Sequence, residues 1–124
     1  MPATIAPPAA NYVHAVVSEA PQRMLHTSGV VPIAPDGSTP AEIGAQAEVV
    51  WANIAVLLAD ADLIIDDVVS VTTYVVVDHL DALGEVMAAR DAQLGDHRAA
   101  STLVTVPALA RPEWLMEIAI VAAR

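Results

Sequence analysis

The sequence predicts an α+β domain: one sheet of about six strands with two helices on one face. Three observations predict it. At 124 residues the chain is one domain, residues 1–124, with enough length for a real core. Runs rich in Val, Ile and Thr alternate with two segments of helical periodicity, in the order strands, helix, strand, helix, strands. Strand–helix–strand crossovers are right-handed, which places both helices on the same face of the sheet.

Taken in order, residues 1–10 contain Pro2, Pro7 and Pro8 and read as an extended arm. Residues 12–17 and 24–33 read as strands, separated by a polar turn over 18–23. Pro35, Asp36 and Gly37 mark a tight turn. Thr39-Pro40-Ala41-Glu42 has the pattern of a capping box with Pro at the first helical position. Ile43, Ala47, Val50, Ile54, Leu57 and Leu58 follow at helical spacing, and the helix is expected to end near Ala61. Residues 68–77 lack that spacing and are apolar on both alternating sets, as in a strand covered on two faces. Asp78 is expected to cap a second helix carrying Leu80, Leu83, Val86, Met87 and Leu94, closed by Gly95. Two further apolar runs, 100–106 and 115–123, flank a connection containing Pro107, Arg111 and Pro112.

Composition excludes several classes of chemistry. There is no Cys, so disulfides, thiolate metal sites and cysteine nucleophiles are absent. All five basic residues are arginines, which removes a lysine Schiff base and a phosphate-binding P-loop. The five glycines are too scattered for a dinucleotide fingerprint, and no cofactor is implied. A net charge of −10 and no cluster of Arg with aromatics argue against nucleic acid. His14, His26, His79 and His97 show no ligand spacing, and the acidic stretch of Asp60, Asp62, Asp66 and Asp67 lacks the Gly and terminal Glu of a calcium loop, so no metal is expected. No positive n-region opens the chain, and no apolar run approaches a membrane span before meeting an Asp. The expectation is a cytoplasmic protein without a membrane partner.

Two features call for more than a solvated monomer. Hydrophobic residues make up 56% of the chain against 16% charged, with a mean hydropathy of +0.54. Two helices cannot cover both faces of the central strand, so the second apolar face is expected to close against other copies. Glu117 is the only charge between Leu115 and Ala123. A carboxylate in so apolar a strand must be paired, protonated or aimed at a wet cleft.

Tyr12-Val13-His14-Ala15-Val16, Thr27-Ser28-Gly29-Val30-Val31-Pro32, Gln46-Ala47 with Asn53-Ile54, Asp67-Val68-Val69 with Thr73-Tyr74, and Ser101-Thr102-Leu103-Val104 with Glu117-Ile118 occur in this order. Together they resemble the Rid family, the reactive intermediate deaminases also called the YjgF family, over residues 12–122. The resemblance implies a chorismate-mutase-like homotrimer with a barrel-like core and small-molecule clefts between subunits. Family members that deaminate act on imines or enamines derived from amino acids: water attacks the imine carbon, ammonia leaves and a 2-keto acid remains. On this resemblance Glu117 matches the water-orienting acid, Tyr12 a pocket tyrosine and Ser28-Gly29 the pocket Ser-Gly pair, with Ser101 and Thr102 facing the ligand.

One match fails. Where deaminating members carry an arginine that clamps the substrate carboxylate, this chain has Ser101, and Met87 stands in place of a pocket asparagine. A hydrogen bond to a charged group contributes ~1.5–3 kcal/mol, so losing the arginine weakens carboxylate binding by roughly one to two decades or more. Arg98 and Arg111 are candidates to supply the missing charge, and each also reads as a solvated surface residue. Glu117, Tyr12 and Ser28-Gly29 have structural readings too: a carboxylate held by backbone N–H groups, a packing ring and a strand bulge. The sequence thus points to a Rid-like trimer with imine- or enamine-hydrolysing chemistry of altered range, or to a ligand-binding trimer that has lost catalysis. Ribonuclease activity, a third label carried in the family, is opposed by the acidic charge.

Overall fold

The computed structural model describes residues 2–124. Four strands, β1 (Met24–His26), β2 (Val68–Val76), β3 (Ala100–Val106) and β4 (Met116–Ala123), form one sheet in the order β1-β4-β2-β3. β4 runs antiparallel to both of its neighbours, and β2 pairs with β3 in parallel. α1 (Ile43–Asp60) links β1 to β2, and α2 (Leu83–Leu94) links β2 to β3. Short 3-10 turns over Ile65–Asp67 and Val77–Ala82 lead into β2 and α2. The expected element order is present.

The strand count differs from the expected six. Of residues 12–17, only Val13 joins the sheet, as a single parallel bridge to Ala100. The second expected strand is interrupted after His26 and rejoins β4 only at Val30, which exchanges backbone hydrogen bonds of 2.7 and 3.2 Å with Ile118. Four steps from His26 to Val30 face three from Val121 to Ile118, which is a β-bulge. Thr27 fills the gap: its Oγ1 accepts the Ile120 N–H at 2.9 Å.

Both helix starts also differ. α1 begins at Ile43, and its N-cap Glu42 makes no side-chain capping bond, so the Thr39–Glu42 capping box does not form. The Pro40 carbonyl is instead taken by Gln46 Nε2 at 2.8 Å. Asp78 lies inside the 3-10 turn and does not cap α2, which starts at Leu83. Gly95 ends α2 as expected, at φ +58°, a conformation that favours glycine. By length and composition α1 is long and apolar enough to cross a membrane, contrary to the expectation that no segment is. In this fold its buried side, including Val50, Trp51, Ile54 and Leu58, forms part of the protein core.

Both helices cover the same sheet face. Val68, Val71, Thr73 and Val75 of β2 and Met116, Ile118, Ile120 and Ala122 of β4 are buried against them. The alternate residues, Thr72, Tyr74 and Val76 on β2 and Glu117, Ala119 and Val121 on β4, are half-buried on the face opposite the helices. Glu117 is the only charge among these six.

Candidate functional site

Glu117 sits on β4 opposite Tyr74 of β2, so its carboxylate belongs to the helix-free face. It is half-buried and makes no side-chain hydrogen bond or ion pair with another described residue. The bulge at Thr27 brings Gly29 against it. A Cβ built on Gly29 would lie 2.8 Å from both Cδ and Oε1 of Glu117 and 3.0 Å from Oε2. Only a residue without a side chain lets the β1 extension pass this close to the carboxylate. Ser28, next to it, is exposed. Bulge, glycine and acid thus form one local unit.

Ser101 lies elsewhere. Its β2 partner is Val71, a residue buried toward the helices, so Ser101 faces the helix side of the sheet. Thr102 follows it on the strand, opposite Thr72, and points to the helix-free face. From Ser101 to Glu117 the path crosses two inter-strand spacings and three residues along β2, about 14 Å between backbones at ~4.8 Å per strand and ~3.3 Å per residue. A single chain therefore carries two separate groups: Ser28, Gly29 and Glu117 in one, and Ser101 with its neighbours in the other.

The second group contains a residue that the sequence reading overlooked. Arg90 of α2 is only 3% exposed, and its Nη1 donates to Ser101 Oγ at 3.3 Å. Its Nε and Nη2 both donate to Asp91 Oδ1, at 3.1 and 2.9 Å. Asp91 Oδ2 accepts from Asn11 Nδ2 at 3.1 Å, which ties the N-terminal arm to α2. Tyr12 follows, one residue before the Val13 bridge to β3, half-buried with its ring edge-on to His14 at 5.9 Å. Arg90 recurs at four-residue spacing with Val86 and Leu94, the other buried positions of α2. That spacing was the available signal: an arginine on the apolar stripe of a helix.

The two arginines considered from sequence are occupied elsewhere. Arg98 Nη1 donates to the carbonyls of Gly95 and His97 at 2.7 and 3.1 Å, closing the end of α2. Arg111 is exposed, 5.2 Å over the Trp114 ring and 3.9 Å from Glu113. Met87 is half-buried on α2. Among the described residues no group of three or more His, Asp or Glu is placed to hold a metal ion. Two surface hollows lie away from both groups. One, of about 640 Å³, runs between α1 and α2 beside Glu48, Trp51 and Glu85; the other, of about 720 Å³, lies beside Asp62 and Arg124.

The fold is thus a small α+β domain with both helices on one sheet face and an acid without a partner among the described residues on the other. The family model described as endoribonuclease L-PSP matches residues 3–124, and the chain belongs to that family, the Rid/YjgF group. Solved structures agree. The Rid-family protein YyfB from Yersinia pestis is 30% identical, with a TM-score of 0.82 and 97% of each chain covered. The YjgF gene product of Escherichia coli is 30% identical, with a TM-score of 0.75 over 96% of this chain and 92% of its own. A putative endoribonuclease from Thermotoga maritima is 31% identical, with a TM-score of 0.75 over 96% and 91%. No curated protein matches the chain.

Proposed function

We propose that this Rid-family chain acts as a homotrimer that binds a small metabolite in clefts between subunits. There Glu117 orders a water for attack on an imine, enamine or related electrophilic double bond. The observation that carries the reading is the Glu117 carboxylate, without a partner among the described residues and backed by Gly29, where a side chain would collide with it. A half-buried acid that the fold does not use is available to a ligand. The wide separation of Ser101 from Glu117 supports a cleft assembled from two copies: the helix-side group of one subunit can meet the open-face group of the next. In the reaction, water oxygen bonds to the imine carbon as the C=N π pair moves to nitrogen, and Glu117 takes the water's proton and returns it to that nitrogen. In the resulting carbinolamine a second proton passes from the new hydroxyl through Glu117 to the nitrogen as the C–N bond breaks, which expels ammonia and leaves a carbonyl.

A second reading is a trimer that binds metabolites without turning them over, favoured by Ser101 at the place of the deaminase arginine. RNA cleavage, which the family description names, is disfavoured by the net charge of −10. The test is pyruvate release from 2-aminoacrylate generated in situ, measured for the wild type and Glu117→Gln. Because Ser101 stands where deaminating members carry the arginine, we expect wild-type turnover of 2-aminoacrylate little above the uncatalysed background. Any activity that remains is expected to be lost in the variant, with an unchanged trimer by light scattering. Binding without turnover moves the protein to the second reading. A monodisperse monomer near 13 kDa, or full activity in Glu117→Gln, refutes the proposed site.

A further inference from the structure

A serine hydroxyl has one proton to give and lone pairs to receive, whereas a guanidinium can only donate. Because Arg90 Nη1 donates to Ser101 Oγ, the hydroxyl is fixed as an acceptor on its helix side and its own proton is left to point elsewhere. Among the described residues Arg90 is the one hydrogen-bond partner of that side chain. We propose that Arg90 and Ser101 form an anion-recognising pair. Arg90 is a positioning residue that orients and polarises the Ser101 O–H, and the hydroxyl donates to one oxygen of a small carboxylate ligand, a 2-keto acid or the imine of one. This inference rests on the reading that Ser101 lines the cleft, and it names the ligand class of that site.

Three observations carry it. Arg90 occupies a core position of α2 between Val86 and Leu94, where a methionine or leucine would pack without the cost of burying a charge. Its fork is held rigid, since Nε and Nη2 are both committed to Asp91 and Nη1 alone reaches β3. Asp91, its partner, faces solvent more than Arg90 does. The Arg90 side chain is 4% exposed and the Asp91 side chain 36%, so solvent screens the carboxylate far more than the cation. The other Asp91 oxygen is turned to Asn11. A buried positive charge acting through one hydroxyl makes a one-point anion site, unlike the two-point grip of an exposed guanidinium.

The experiment compares pyruvate with its neutral analogue pyruvamide, titrated into the native oligomer by calorimetry or ligand-observed NMR. Wild type is expected to prefer pyruvate by about tenfold, the step that separates a charge-assisted hydrogen bond from a neutral one. Arg90→Met and Ser101→Ala should bring that preference to about unity while pyruvamide binding persists, and Arg90→Lys should retain a severalfold preference. Should Arg90→Met fail to fold, Ser101→Ala decides, because it leaves the Arg90–Asp91 pair intact. An unchanged preference in Ser101→Ala, or a folded Arg90→Lys that behaves like Arg90→Met, overturns the inference. Equal binding of both probes by the wild type overturns it and leaves the cleft reading standing. Binding of neither probe overturns both.

Discussion

Gln46 is the polar side chain on which the placement of Glu117 depends most directly. It is fully buried on α1, and its amide is spent entirely on backbone. Nε2 donates to the carbonyls of Pro40 and Glu113 at 2.8 Å each, and Oε1 accepts the Leu115 N–H at 2.9 Å. It thereby fastens the start of α1 to the chain just before β4, two residues from Glu117. Gln46→Leu keeps the volume and strands three backbone groups. The Glu113 carbonyl, on an exposed residue, recovers water. The Leu115 N–H and Pro40 carbonyl are half-buried, and an unsatisfied buried group costs ~1–3 kcal/mol, so the expected loss is about 2–4 kcal/mol. For a domain of this size that lowers the melting temperature by about 10 °C. Urea denaturation at one fixed protein concentration, with an unchanged m-value, measures it. A loss below about 1 kcal/mol would mean that water enters this corner freely and that the amide does not fasten β4.

Other perturbations separate site from scaffold. Gly29→Ala has no backbone strain to overcome and meets only the mobile end of Glu117, so the fold should lose less than about 1 kcal/mol while turnover or ligand binding drops at least tenfold; unchanged function with a displaced melting curve would assign Gly29 to the scaffold. Ser101→Arg sets a second guanidinium near Arg90 Nη1, now 3.3 Å from Ser101 Oγ. It should destabilise by at least about 1 kcal/mol, with the loss recovered in Ser101→Arg/Arg90→Met, and additive effects in that double-mutant cycle would refute the like-charge conflict. Burial pushes the Asp67 carboxyl up, but the Ile64 N–H at 2.8 Å and the Arg124 guanidinium at 3.1 Å outweigh it and hold it below its ordinary value. A depressed folded pKa gives stability that is present above the unfolded value and lost as pH falls through the folded one. Asp67→Asn should therefore flatten the acid limb of a stability–pH profile below about pH 4, and an unaltered limb would contradict it.

How legible this was in the sequence varied with the distance over which each feature is decided. Element order, the α2 stop at Gly95 and the bulge at Ser28-Gly29 follow from local chemistry and were readable. The start of α1 was not, because the Pro40 carbonyl is taken by Gln46 and Gln46 is itself held by residues far away in sequence. Residues 12–17 alternate like a strand, yet only Val13 pairs, since pairing depends on where the edge of β3 lies. A motif places the missing arginine at its own position or in a nearby loop, whereas Arg90 lies on a helix. Its burial between Val86 and Leu94 was visible as spacing, but its reach to Ser101 was a tertiary fact.

The alternation of a β-strand also constrains how any site can be built here. Ser101 and Thr102 are adjacent in sequence and face opposite sides of the sheet, so no single cleft of one chain takes both side chains together with Glu117. Ser101 shares its side with Arg90, Asp91 and the helix-facing core. Thr102 shares its side with Thr72, Ala119 and the acid, on a face that neither helix covers. The largely apolar character of that face and the isolation of its carboxylate then have one joint explanation under the proposed assembly. Under that proposal the apolar surface that a second subunit covers is also the one that would bring the acid to that subunit's cation. Oligomer and site would then form in the same step, and a substitution that opens the face, such as Ala119→Asp, should abolish ligand binding without touching a ligand-contacting residue. Light scattering and titration on that one variant check both halves of the argument: a surviving trimer, or a monomer that still binds, would break the link.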